Sequence, residues 1–270
     1  MSSILVNALF WGILALWIRE SAEQPHFEPN VDELFANQYI VPSHYKLQAP
    51  NHCQNKSNDI IEITSLPWCT PANSTHILLS NVTIRISAPY ENSMFVIMNF
   101  DTSVNLTLTI VNSTILCLVS ECNLISSRSY SYLTMDWVNY LKTSYSTNHV
   151  IDFLNFFLFV NGEVFINRST FLNLQKYMFL ASSVGAVTIA NSLFSNSEIK
   201  PYFMYTSHTS TLLENVTFTN AIVWNTYISG FLNPKIQLVN VTFYNNTINE
   251  FSRHASGLVF CFMCGSIEVK

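Results

Sequence analysis

Residues 211–245 read TLLENVTFTN-AIVWNTYISG-FLNPKIQLVN-VTFYN, and the phrase TLLENVTFTN (211–220) returns 25 residues later as IQLVNVTFYN (236–245). Working back towards the N-terminus, the same ten-residue phrase is found as VTIANSLFSN (187–196), VFINRSTFLN (164–173), LTIVNSTILC (108–117) and ILLSNVTIRI (77–86). Each is a short apolar strand, an Asn-centred turn and a second short strand with an apolar residue at its third position. That third residue marks the period as Ile84, Ile115, Phe171, Phe194, Phe218 and Phe243. The last four are 194−171=23, 218−194=24 and 243−218=25 residues apart, a constant interval that identifies repeated structural units before any element is assigned. The earlier gaps, 115−84=31 and 171−115=56, fit one unit with an inserted loop and two units with a loop. The polar, Tyr-rich residues 126–148 are the expected site of that insertion.

Strand alternation explains the phrase. In IQLVNVTFYN, Val241 and Phe243 fall on one face and Thr242 on the other, so two apolar side chains enter a core while a β-branched hydroxyl lines the outside. The Asn between the strands must take the left-handed backbone conformation of a sharp corner, which only Gly, Asn and Asp enter readily. The chain has 6 Gly and 29 Asn, so Asn fills most such corners. Stacked unit on unit, these Asn amides are expected to hydrogen-bond along the stacking axis in a ladder. The imperfect phrase is residues 163–167, where Arg168 stands at the corner, and a one-residue slip of register is expected there.

The run x-V-x-[IL]-x-N-V-T-F-x-N every 23 to 25 residues resembles the repeat of right-handed parallel β-helix proteins of the pectin-lyase-like superfamily, over residues 76–270. The resemblance implies an all-β solenoid. Alternatives are an antiparallel sandwich of short strands and a leucine-rich repeat, although the latter places its Asn after a Leu triplet and not before an aromatic residue.

Around this core the expected organisation is a signal peptide or signal anchor at 1–22, an N-terminal cap region at 23–75 and the β-helix at 76–270. Residues 4–18 are an apolar run of about 15 residues, closer to a signal-peptide h-region than to a bilayer-spanning helix. Residues 30–37 (NVDELFAN) form an approximate capping box, with Asn30 as N-cap and Glu33 three residues on, opening a short helix that would close the first coil. Residues 265–270 match the opening of earlier units, so the chain stops where the next corner Asn is due, and truncation from a longer surface protein is expected. Six cysteines (53, 69, 117, 122, 261 and 264) fit an oxidising compartment, with Cys53 and Cys69 placed to staple the cap region. Nine N-x-[ST] sequons, at Asn55, Asn73, Asn81, Asn105, Asn112, Asn167, Asn215, Asn240 and Asn245, agree with a secreted or cell-surface glycoprotein, although Asn, Ser and Thr are common enough here for several to arise by chance.

Chemistry is sparse. Charged residues are 11% of the chain, against 49% hydrophobic, and no Lys or Arg run can neutralise successive phosphates, so nucleic acid is not an expected partner. Enzymes of the resembling superfamily, such as pectate lyases and polygalacturonases, work with clustered carboxylates, and glycoside hydrolysis needs two carboxyls within about 5 to 9.5 Å. The five Asp, at 32, 59, 101, 136 and 152, form no D-x-D or D-D pair. Asp101, Asp136, Asp152 and Glu163 would have to converge through loops. His52, Cys53, Cys69 and His76 match no zinc spacing, and the C-x-x-C of Cys261 and Cys264 has no βαβ context for redox work. The sequence therefore nominates no catalytic, cofactor-binding or metal-binding residue and no cofactor. It predicts a non-catalytic scaffold whose partners are glycans or surface proteins and which meets a membrane only through an N-terminal anchor or a missing C-terminal segment. A polysaccharide lyase or glycoside hydrolase is the alternative. Any ligand-binding patch is expected at Tyr130, Tyr132, Trp137, Tyr140 and Tyr145, because insertions between units are where solenoids carry recognition.

Overall fold

The structure is a computed structural model that describes residues 52–70, 76–88, 96–99, 105–119, 122–143, 156–182, 184–224, 226–231, 234–249, 257–262 and 265–270. Among the described residues there is no helix, and 22 strands belong to one sheet. Every strand pairing within it is parallel. One circuit shows how the sheet curls round an axis. The strand Gly185–Ala190 ends at a corner on Asn191, the strand Leu193–Ser195 ends at a corner on Asn196, and the strand Glu198–Ser207 returns the chain through His208 to Thr209–Glu214. That last strand lies in register on Gly185–Ala190, with Gly185 opposite Thr209 and Ala190 opposite Glu214. The fold is all-β with a long parallel sheet wound about an axis, an arrangement compatible with a parallel β-helix.

Asn makes the corners, as its backbone freedom requires. Asn58, Asn81, Asn112, Asn173, Asn191, Asn196, Asn215, Asn220, Asn240 and Asn245 all have φ between 47° and 61°. The expected ladder is formed: Asn240 Nδ2 donates to Asn215 Oδ1 (3.2 Å), Asn215 to Asn191 (3.2 Å) and Asn191 to Asn167 (2.9 Å). Shorter ladders join Asn81 to Asn58 and Asn245 to Asn220.

The six marker residues stand in one in-register column, which contains a seventh member. Ile84 pairs with Ile115, Ile115 with Tyr140, Tyr140 with Phe171, and Phe171 with Phe194, Phe218 and Phe243 in succession. The rings of Phe171, Phe194, Phe218 and Phe243 stack with centroids 4.8 to 5.2 Å apart and planes within 15° of parallel. A second column, Phe157, Phe179, Phe203 and Tyr227, packs edge-on against the first, as at Phe194–Phe203 (4.7 Å, 81°). Phe171, Phe194 and Phe218 are buried, so the periodic aromatics are core and not a binding face.

The structure corrects three expectations. Residues 126–142, expected in a loop-rich insertion, belong to the strand Ile125–Lys142, which pairs along most of its length with Leu106–Cys117 and Phe156–Asn167. The 56-residue gap is thus a unit of 140−115=25 and one of 171−140=31. Second, the sheet begins before residue 76: the segment 59–65, strand-like in sequence, holds the strand Ile60–Ile63, and this and Lys56–Ser57 pair with Thr83–Ile86 and His76–Ser80. Third, the backbone does not slip at Arg168: Val187 to Ala190 lie opposite Val164 to Asn167 without a break, because Arg168 itself takes the corner conformation (φ 47°). The apolar run 4–18 and the helical cap 30–37 lie outside the described residues. Two disulfides, Cys53–Cys69 and Cys117–Cys122, are formed and are compatible with an oxidising, extracellular location. Cys264 and the Cys261 side chain lie outside the described residues.

Candidate functional site

The strands that precede the first corner form a face whose outward residues run in rows along the axis. One row is His76, Thr107, Tyr132, Glu163, Ala186, Ser210, Lys235 and Ser266, and the next is Leu78, Thr109, Thr134, Phe165, Thr188, Leu212, Gln237 and Glu268. Thr and Ser recur across the two rows, among Leu, Gln and charged side chains. Two neighbouring coils break the pattern with exposed aromatics, Tyr132 (43% exposed) and Phe165 (42%). Tyr130 packs edge-on against Tyr132 (5.5 Å) and donates its hydroxyl to Glu163 Oε1 (3.2 Å). Its pKa is raised, first by burial and then by the Glu163 carboxylate, so the phenol stays protonated and donates. Towards the C-terminal coils the face becomes a shallow groove of about 300 Å³ floored by Ala186, Thr188 and Ser210, with Lys235, Gln237 and Glu268 at its far side.

The corner beside these aromatics is also unlike the others. Trp137 holds it on one coil and Arg168 on the next, both at positive φ (56° and 47°) where the remaining coils of this column use Asn. A bulky side chain is rarely found in this region, and such strain concentrates where a surface has a task. Trp137 is 53% exposed and the Arg168 guanidinium lies over its ring at 5.1 Å. Arg168 donates Nε to Asp136 Oδ1 (3.0 Å) and Nη2 to Asp136 Oδ2 (2.5 Å). Asp136 also accepts from Asn167 Nδ2 (3.0 Å), so the Asn ladder steps back one residue at this coil and ends on a carboxylate.

Of the residues singled out from sequence, Tyr130 and Tyr132 lie together on this face, Trp137 stands at its corner five residues further along the same strand, about 16 Å from Tyr132, Tyr140 is in the core, and Tyr145 lies outside the described residues. The sequence reading missed Phe165, and it set Arg168 at the corner without giving it a role. Alternation in residues 163–167 was the available signal for Phe165, since it sends Val164 and Ile166 inwards and Phe165 out.

Asp136 and Glu163 do not converge. Asp136 lies opposite Asn167, four residues along the strand from Glu163, which places their backbones about 13 Å apart. Their side chains lean apart as well, Glu163 towards Tyr130 and Asp136 towards Arg168, so they do not form the acid pair that glycoside hydrolysis uses. Asp101 and Asp152 lie outside the described residues. Cys53 and Cys69 are joined to each other, and no group of three His, Cys, Asp or Glu among the described residues could hold a metal ion. No protein-family model, curated protein or solved structure matches the chain.

Proposed function

We propose that this chain is a non-catalytic, secreted or cell-surface scaffold of the right-handed parallel β-helix type, and that it recognises a glycan or another surface protein through the patch of Tyr132, Phe165 and Trp137. The observation that carries this reading is the coincidence, on two adjacent coils, of exposed aromatic rings with two corner residues held in a backbone conformation that disfavours them. Flat rings with polar edges offer large contact area at little conformational cost. The Asp136–Arg168 pair fixes the corner beside them.

Binding to immobilised glycans and to cell-surface protein extracts tests the proposal, with the two arms separating the ligand classes. The double variant Tyr132→Ala/Phe165→Ala is expected to lose at least tenfold in affinity, about 1.4 kcal/mol or more, with a thermal unfolding midpoint lowered by only a few degrees because neither side chain belongs to the buried core. Unaltered binding by that variant would exclude the patch. Turnover of a polyuronate that disappears in Asp136→Ala would replace the scaffold reading with the enzymatic one.

A further inference from the structure

The first-corner column runs through Asn58, Asn81, Asn112, Trp137, Arg168, Asn191, Asn215 and Asn240, in each of which the backbone is left-handed. Successive members are tied by the same bond: Asn81 N–H donates to the Val111 carbonyl, Arg168 to Ala190, Asn191 to Glu214 and Asn215 to Val239. Sequons are not spread evenly along it. Asn81, Asn112, Asn215 and Asn240 are each followed two residues later by Thr83, Thr114, Thr217 and Thr242, and all four Asn side chains are exposed. The three coils between them lack a sequon at the corner position, in three different ways. Trp137 replaces the Asn of the first. In the second, Arg168 takes the corner and the sequon is set back one residue to Asn167, which is only part-exposed and whose partner Ser169 is buried and donates to the Asn167 carbonyl. In the third, Asn191 is followed by Leu193. These same three coils carry or adjoin Tyr132, Phe165 and Trp137.

Resting on the reading of the chain as a secreted or surface scaffold, we propose that N-linked glycans occupy this corner at Asn81 and Asn112 and again at Asn215 and Asn240, leaving a bare interval that exposes the aromatic patch. The repeat accounts for the recurrence of Asn and Thr. It does not account for the three successive interior coils that lack a corner sequon being those beside the aromatics; Asn58, at the N-terminal end of the column, is the other member without one. The ladder permits the modification: each Nδ2 carries two hydrogens, and the bonds of Asn81 to Asn58, Asn215 to Asn191 and Asn240 to Asn215 use one each, which leaves the other for the sugar linkage. Neighbouring rungs are about 4.8 Å apart, so one occupied site in each pair suffices to cover that stretch of corner.

The test is to express the full chain in a eukaryotic secretory host, recover it from the medium, release N-glycans enzymatically in heavy-oxygen water and map the labelled asparagines by mass spectrometry. Label is expected on at least one of Asn81 and Asn112 and at least one of Asn215 and Asn240, with Asn167 unlabelled. Removing the sequons through Thr83→Val, Thr114→Val, Thr217→Val and Thr242→Val retains every corner Asn and is expected to abolish that label. A secreted, disulfide-bonded chain with no label at these four positions, or with label on Asn55 or Asn105 alone, overturns the glycan edge while leaving the scaffold reading intact. A chain that stays in the cytosol with reduced thiols overturns both.

Discussion

Asparagine at the corner does two jobs that no other side chain combines. It enters the left-handed region at little cost and presents an amide that both donates and accepts along the axis. Replacing Asn215 with Ala should therefore destabilise the protein by about 2 to 4 kcal/mol, about 1 to 2 from the backbone and the rest from two ladder bonds, read as a lowered urea midpoint. Asn215→Gly should recover the backbone share and lose only the bonds. Trp137 gives the opposite result: Trp137→Asn relieves a strained corner and should raise stability by about 1 kcal/mol while weakening ligand binding, the trade expected of a functional surface. The rule for Asn was legible because it follows from local backbone sterics. Arg168 was legible too, since its phrase aligns with the others and sets it at the corner, but Trp137 was not, because nothing in its residue type marks a left-handed position and only the register of neighbouring coils reveals it.

At the scale of strands and columns, stability comes from rings stacked coil on coil. Phe194 touches Phe171, Phe179, Phe203 and Phe218, and Phe194→Ala should cost about 3 to 5 kcal/mol. Phe243, half-buried on a coil with fewer ring neighbours, should cost less than half as much when truncated, and denaturant melts of the two variants check the ratio. Gly185 (φ 115°) stacks on Gly162 (φ 144°) so closely that a Cβ at Gly185 would meet the Gly162 carbonyl. Gly185→Ala is expected to lower the melting temperature sharply, beyond the cost of about 1 kcal/mol that a positive φ alone imposes. The units with Phe at the marker were readable from spacing. The unit Leu133-Thr-Met-Asp-Trp-Val-Asn-Tyr140 escaped because three signals changed together: Trp for the corner Asn, Asn for Thr, and Tyr for Phe. Its inward residues Leu133, Met135, Val138 and Tyr140 had kept the alternation and are all buried.

Across the whole molecule, a winding parallel sheet couples each coil mainly to its two neighbours, so stability accumulates along the axis and local opening starts where a coil has one neighbour. The candidate site was legible from sequence only as a cluster of aromatics, since the face it occupies is assembled from strands 23 to 31 residues apart whose alignment no local pattern shows. Parallel in-register winding is the claim on which the column, the ladder, the patch and the glycan edge all depend. Disulfide trapping tests it directly, because outward Cα pairs on adjacent parallel strands sit about 4.8 Å apart, within the range of about 4.4 to 6.8 Å that a disulfide spans. The account predicts that Ser210→Cys/Lys235→Cys and Glu214→Cys/Val239→Cys each close a disulfide identified by peptide mapping, whereas Ser210→Cys/Val239→Cys does not. Closure of the crossed pair with both aligned pairs open would mean that these strands run against each other, and would contradict it.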